Sequence, residues 1–451
     1  MALPSDFDLI VLGSGTAGTG IATRCARRGW RVALAEAREP GGTCALRGCE
    51  PKKVFWTLAD AMERAGRLAP HGVAGGEALR LDWGAAQAFK RSFTDPVPGN
   101  RAAALREAGV TLLEGAGRFL APDLIGVGAA RLPARHVVIA TGAVPAPLPI
   151  EGADLLATSD DVLDWPAVPR RLILLGGGYI SFEIAHLTRR AGAEVTILQE
   201  DDRPLSAFDA ELVDRLVAWT RTLGIDVRLN CRAEAILRRG AGYVVRAAGG
   251  ETFEADAVVH GLGRVPALAG LDLEAGGVPV EKGRLQLDEV LRSVGNPRVF
   301  AAGDAAQRGP ALTPVASEDA RAVAATLLEG EGHRPDHSLV PSAVFTLPPL
   351  AMVGLTEAAA RQQGLAYEVR RGDMAAYQSV RRTGEAAAAF KLLVEPGGQG
   401  RLLGAHLLGP EAPEVINLAA LAMRAGTPVT ELRHMMTAYP SAGSNLASML
   451  G

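Results

Sequence analysis

Residues 41–53 read "GGTCALRGCEPKK", a stretch in which Cys44 and Cys49 stand five positions apart behind a glycine pair. The chain has 451 residues and only four cysteines, so half of its thiols fall in this one segment. Pro51, Lys52 and Lys53 follow at once. In a reducing compartment structural disulfides are rare, and two neighbouring thiols are more often catalytic or metal-binding. Cys25 and Cys231 stand alone in apolar surroundings and read as buried bystanders.

Such a pair needs rigid elements around it. "DLIVLGSGTAG" is a strand-like run that ends in Gly13-x-Gly15-x-x-Gly18 and opens the helical spacing of "TGIATRCARRGW". Glycines at those places allow a tight turn and close backbone approach, so a pyrophosphate can rest on the helix amino end. The next strand, "RVALAE", ends in Glu36, about 20 residues on, where a carboxylate can bind a ribose diol. The plan recurs in "RRLILLGGGYISFEIAHLTRRAGAEVTILQE", with Gly176-x-Gly178-x-x-Ser181 and a second strand ending at Gln199-Glu200. Two such units predict two bound dinucleotides, against the plainer alternative of a duplicated layer with one dead site.

"RHVVIATGAVPAPLP" reads as a strand, a glycine-containing turn and a Pro-rich connector, which marks a domain boundary near residue 150. "NPRVFAAGDAAQRGPALTPVASEDARAVAATLLEG" gives a strand ending at Gly303-Asp304, then a helix opened by Thr313-Pro314. Thr is expected there as the cap and Pro as the first helical residue. A carboxylate at a strand end and a helix amino end nearby can face one ligand.

The length allows about three domains. With 48% apolar and 22% charged residues the composition is that of a compact globular protein, and scarce aromatics with abundant Gly suit α/β architecture. A formal net charge of −3 without long runs of one sign argues against nucleic acid or an anionic membrane as partner. No segment approaches the about 18 apolar residues of a membrane span. The amino end, "MALPSDFDLIVLGSG", has no basic region, leader-length apolar stretch or cleavage site. The expected location is cytoplasmic.

Together these segments resemble the flavin-dependent pyridine nucleotide–disulfide oxidoreductases, the family of glutathione reductase, dihydrolipoamide dehydrogenase and mercuric reductase. The resemblance covers essentially the whole chain, and its most specific piece is residues 41–53, similar to the motif G-G-T-C-x-x-x-x-C-x-P-K-K. It implies an α/β fold with two Rossmann-like dinucleotide-binding domains and an α+β carboxyl-terminal dimerisation domain. The expected divisions are an FAD-binding part at 1–149, an NAD(P)-binding domain at 150–264, a return to the FAD domain at 265–334, and the interface domain at 335–451. "VPSAVFTLPPLAMVGLTE" is similar to the start of that last domain, and "FKLLVEPGGQGRLLGAHLLGPEAPEVINLAALAMRAG" to its strand–strand–helix core.

On an ideal helix, positions five apart leave roughly 8–9 Å between Cα atoms, more than the about 7 Å a disulfide tolerates. The cysteines are therefore expected on a distorted first helical turn, with Gly48 permitting the distortion. The helix amino end is expected to lower thiol pKa. A zinc centre is disfavoured, because no second Cys or His pair lies at ligand spacing.

The resemblance assigns roles. Cys49 matches the flavin-side cysteine that forms the charge-transfer thiolate, and Cys44 the interchange cysteine that attacks the substrate. Lys52 matches the lysine near the flavin and Glu183 its partner carboxylate. Tyr179 matches an aromatic lid, Asp304 the residue that holds the ribityl chain, and Thr313 the start of a helix aimed at the flavin. Gly42, Thr43, Lys53, Thr141, Gly142, Gly263 and Gly303 fall at cofactor-contacting positions, with Glu200 at the nicotinamide nucleotide. The plainer readings are a solvated charge for Lys52, ordinary packing for Tyr179 and a helix-face acid for Glu183.

Adenosine 2′-phosphate calls for arginines near the end of the second strand. The stretch "QEDDRPLSAFD" instead offers Glu200 and Ser206 there, so NADH is favoured over NADPH, with dual use open through Arg203. The carboxyl end departs from the family's His-Pro-Thr-x-x-Glu element. "HMMTAYPSAGSNLASML" has Tyr439 for the histidine and Ser444 for the glutamate. A phenol titrates near 10 and an imidazole near 6.5, so Tyr439 is a poor proton shuttle at neutral pH; His434 is a candidate substitute. Tyrosine at this place matches mercuric reductases, but the chain ends "ASMLG" without their cysteine pair. Thr23 and Ser338 stand where glutathione reductases carry substrate-anchoring arginines.

The expectation is an FAD enzyme that passes electrons from NAD(P)H through flavin to a Cys44–Cys49 disulfide. From there they go to a small-molecule or lipoyl-type disulfide, or to a soft metal ion captured by the dithiol. Direct reduction of quinone or oxygen by the flavin, and a redox-sensing flavoprotein with little turnover, remain the alternatives. The resemblance also implies a homodimer, in which Tyr439 reaches the other subunit's cysteines.

Overall fold

In the computed structural model, which describes residues 6–330, 332–397 and 399–451, the apolar run Phe7–Leu12 is the central strand of a parallel sheet. A strand buried on both faces reads as a near-continuous apolar run, and five of these six residues are buried. Residues 1–5, which carry part of the reading of the amino end, lie outside the described residues.

The chain divides into two compact units. The first comprises residues 1–52, 89–146 and 264–337. Its sheet runs in the order Val110–Glu114, Val32–Glu36, Phe7–Leu12 and Ala130–Ile139, all parallel. The last half of Ala130–Ile139 also pairs with Val299–Ala301, and its first half starts an antiparallel meander through Leu124–Val127 to Gly117–Ala121. Two Ala-rich helices, Thr16–Ala26 and Thr313–Glu329, pack on each other. They approach so closely that a Cβ added to Gly20 would fall 3.0 Å from Ala320 Cβ.

The second unit comprises residues 53–88, 147–263 and 338–451. A second parallel sheet runs Ile225–Arg228, Glu194–Leu198, Arg171–Leu175 and Ala257–His260. Beside it in sequence lies an antiparallel ribbon, Ala233–Arg239, Gly242–Ala247 and Thr252–Ala255. The carboxyl-terminal sheet is antiparallel, in the order Ser342–Val344, Leu350–Gly354, Leu402–Leu408, Ala389–Val394 and Glu368–Asp373. Helix Ala412–Ala425 covers it, so the expected strand–strand–helix core is present. Buried Leu172, Leu174 and Ile197 share one core with Val344, Leu350 and Leu408, which ties the nucleotide sheet to the carboxyl-terminal sheet. Residues 53–88 belong to this unit because Trp83 Nε1 donates to the Trp165 carbonyl at 2.8 Å and Trp56 Nε1 to the Thr346 carbonyl at 3.0 Å.

Candidate active site

Gly42 begins the short helix Gly42–Arg47 and lies against the first nucleotide turn: a Cβ on it would sit 2.5 Å from Gly15 Cα. Its φ of +75°, which favours glycine, makes that approach possible. The helix ends at Gly48, and a new helix, Cys49–Leu68, starts at the next residue. The sequence led us to expect one helix with a distorted first turn. The backbone breaks outright instead: Cys44 lies within the first helix and Cys49 opens the second. All four cysteines are free thiols.

Cys44 and Cys49 are hydrogen-bonded to each other, and Thr313 donates its Oγ1–H to Cys44 Sγ at 2.9 Å, with Cys49 Sγ 3.8 Å from the same oxygen. The bond to Cys49, followed by burial, pushes the Cys44 thiol up, and Thr313 partly opposes this. A lowered pKa is therefore not what Cys44 has. Thr313 was expected to cap its helix. It is instead the first residue inside the helix, after Leu312, and its hydroxyl serves the thiol.

The residues expected to hold a flavin dinucleotide form a preorganised cradle in the same unit. A Cβ on Gly18 would fall 2.0 Å from the Gly13 carbonyl oxygen, so the turn closes only around glycine. Glu36 accepts the Ser14 N–H at 2.8 Å and its O–H at 2.5 Å, and Ser14 Oγ accepts the Gly41 N–H at 3.0 Å. Thus one serine, which the glycine pattern gave no reason to single out, joins the first glycine turn, Glu36 and the cysteine segment. Gly15 caps helix Thr16–Ala26 with no side-chain bond, leaving its first N–H groups to a ligand. Thr141 Oγ1 is buried without a hydrogen-bond partner among the described residues, at the end of the central sheet. Gly142 and Gly303 bracket the site with left-handed backbone. Burial pushes the Asp304 carboxyl up, and the Arg264 guanidinium partly counters it. The cradle, the uncapped helix and the unpartnered hydroxyl fit an adenine dinucleotide bearing a polar isoalloxazine.

The second unit carries the second nucleotide turn. Gly178 caps helix Tyr179–Arg190, and Gln199 Oε1 accepts the Gly177 N–H at 2.6 Å. Ser181, where a third glycine would stand, is seated because Gly261 has no side chain: a Cβ there would lie 2.0 Å from Ser181 Oγ. A cavity of about 230 Å³ is lined by Gly177, Tyr179, Gln199, Arg203 and Ser206 among others. Tyr179 is 39% exposed, and Glu200 is exposed at the strand end. Arg203 Nε bonds Asp214 at 3.2 Å.

Lys52 is 7% exposed and Glu183 3%. Glu183 Oε1 receives Lys53 Nζ at 3.5 Å and accepts the Phe345 N–H at 2.9 Å. The same ammonium stands 3.5 Å from the Phe345 ring centre. One turn along the helix, His186 Nδ1 accepts the Leu347 N–H at 3.1 Å, so two side chains pin residues 345–347. Sequence spacing offered no sign of His186 or Phe345, whose partners lie far along the chain. Tyr439 is 82% exposed and His434 is exposed. Ser444, at the glutamate position, donates its hydroxyl to the Ser441 carbonyl at 2.6 Å, closing its own turn.

Residues 7–320 match the family described as pyridine nucleotide-disulphide oxidoreductase, and residues 340–450 match that family's dimerisation domain. A glutathione reductase of Burkholderia cepacia is 33% identical over 448 residues, covering 98% of each chain. A dihydrolipoyl dehydrogenase of Halobacterium salinarum is 32% identical over 453 residues, covering 96% of this chain and 93% of the relative. Among solved structures, the Cu(II) complex of the HOCl-induced flavoprotein disulfide reductase RclA from Escherichia coli superposes with a TM-score of 0.89 at 29% identity, covering 99% of both chains. The chain belongs to the pyridine nucleotide-disulphide oxidoreductases, enzymes that work with FAD and a pyridine nucleotide.

Proposed function

We propose that Cys44 and Cys49 are the electron-transferring pair of an NADH-dependent member of this family, and that Cys44 is the thiol that meets the acceptor. The observation that carries this is the cluster of Cys44, Cys49 and Thr313, in which the two sulfurs bond each other and the threonine hydroxyl donates to Cys44. Bound FAD supplies the two-electron carrier between nicotinamide and this pair. The hydrogen bond between the two sulfurs lets one hold the proton while the other is thiolate, and the resemblance gives the flavin-side thiolate to Cys49. Against a disulfide acceptor, Cys44 as thiolate attacks one sulfur and expels the other as a thiolate. Cys49 then attacks Cys44, releases the second thiolate and closes the Cys44–Cys49 bond. Two electrons leave the pair, and the released thiolates take up the Cys44 proton and one from solvent.

NADH is the favoured donor because Glu200, Asp201 and Asp202 are exposed in succession at the strand end, where a 2′-phosphate would meet three carboxylates. Arg203, the nearby cation that could offset them, is engaged by Asp214. Four free thiols suit a cytoplasmic setting. A homodimer fits the match to the dimerisation domain and the exposure of Met436 and Tyr439.

A second reading, a soft metal ion as acceptor, is favoured by one departure. Tyr439 replaces the histidine that disulfide reduction would use, and two thiolates bind a soft ion without an acid–base partner. The RclA structure in complex with Cu(II) makes copper the first ion to try. Anaerobic NADH should bleach the flavin of the wild type and raise a long-wavelength charge-transfer band. Cys49→Ser should abolish that band, and Cys44→Ser should leave it standing without reductant. Turnover with low-molecular-weight disulfides, lipoamide and Cu(II), each with NADH and NADPH, then identifies acceptor and donor. Quinone reduction that survives Cys44→Ser moves the chemistry off the cysteines and overturns the proposal.

A further inference from the structure

Asp319 lies on the second turn of helix Thr313–Glu329 and is 1% exposed. A carboxylate so placed is costly unless its oxygens are bonded. One oxygen accepts the Gly303 N–H at 2.8 Å, and the other meets His337 Nε2 at 2.8 Å. With Asp319 ionised, Nε2–H is the donor of this bond. Gly303 opens the turn that presents Asp304. His337 in turn lies against the loop leading to Thr313: a Cβ on Gly309 would fall 2.9 Å from its Nδ1. The neighbouring Asp336 N–H docks on Glu318 at 3.1 Å, so residues 336 and 337 grip consecutive positions of the helix.

We infer that Asp319 and His337 are a positioning pair for FAD, fixing the Gly303–Asp304 turn and the approach to Thr313 at one spacing. Neither residue touches the cysteines; the pair acts through the backbone N–H of Gly303 and the loop at Gly309. This rests on the reading of the first unit as the FAD site. His337→Phe keeps the ring volume and removes the donor, while His337→Gln keeps a donor of similar reach. Losing one charge-assisted hydrogen bond at the turn is expected to weaken FAD by about tenfold.

The test is release of FAD from diluted holoenzyme, followed by recovery of free-flavin fluorescence, with the visible flavin spectrum and the denaturation midpoint at saturating FAD recorded alongside. His337→Phe and Asp319→Ala should release FAD about tenfold more readily and shift the spectrum, whereas His337→Gln should stay within about twofold of wild type. Wild-type retention in His337→Phe overturns the inference. Equal loss in His337→Phe and His337→Gln overturns it too, because the donor would then be irrelevant. Should Asp319→Ala not fold, the two His337 variants decide alone. A wild type that takes up no FAD would sink the underlying reading instead.

Discussion

Thr313 places its hydroxyl 2.9 Å from Cys44 Sγ because the residue sits inside its helix and leaves the cap position to Leu312. That bond lowers the Cys44 pKa against the larger upward push from Cys49 and burial. Removing it with Thr313→Val should make Cys44 still harder to deprotonate and slow its alkylation by iodoacetamide in the reduced enzyme about fivefold, the equivalent of about 1 kcal/mol. Thr313→Ser should retain the wild-type rate; equal rates for Val and Thr would show that the hydroxyl does not act on the thiol. The cysteine motif was legible because dithiol chemistry requires both sulfurs and the glycines that let them approach. The role of Thr313 was not, since a cap and a first-turn residue differ by one position, within the ordinary uncertainty of a helix boundary. The contact of Lys53 with Glu183 poses the same difficulty: successive helical residues point about 100° apart, and no spacing rule brought residue 53 to that carboxylate.

Helix Cys49–Leu68 shows how much of the second unit hangs on buried charge. Arg190 bonds Glu63 at 2.8 Å with only 6% of its side chain exposed, and Arg67 bonds Glu385 at 2.6 Å. Burial pulls the Arg190 pKa down, and the Glu63 carboxylate opposes that pull. Arg190 also donates to the His186 carbonyl at 3.1 Å, which joins this network to the helix that pins residues 345–347. Removing one partner of a buried pair leaves an uncompensated charge, a loss of about 3–5 kcal/mol. Since Glu63 is 20% exposed, Glu63→Ala should fall at the lower end, about 3 kcal/mol by urea denaturation. A double replacement of Glu63 and Arg190 by apolar residues should recover much of it; if the single and double variants are equally unstable, the ion pair is not the cause. Strands and glycine turns were readable from the local pattern, and the strand–strand–helix core from the family resemblance. This network was not, because its members come from residues 63, 67, 190 and 385, and pairing at such separations leaves no local pattern.

At the scale of the whole molecule, both units carry histidines that burial holds neutral. Desolvation lowers the pKa of His136 in the first unit and of His186 and His406 in the second, His186 well below 6.5. The unfolded chain protonates these rings as pH falls through about 6.5 while the folded chain does not, so it binds more protons and stability drops with falling pH. Above that value they contribute their full stabilisation. Each such ring is worth up to about 1.4 kcal/mol per pH unit, and the three together about 4. Buried carboxyls act in the opposite sense: desolvation raises Asp60, Asp304, Asp319 and Glu385, so the folded state takes up their protons first at lower pH. Stability should therefore fall from pH 6.5 toward about 5 and then level off as those carboxyls begin to protonate. Urea midpoints between pH 8 and 4.5 measure the profile. His186→Gln, which keeps an acceptor for Leu347 and a donor for Thr220, should remove the largest single share of the slope below pH 6.5. A profile flat from pH 8 to 5, or a slope unchanged in that variant, would show that His186 is already protonated in the folded chain.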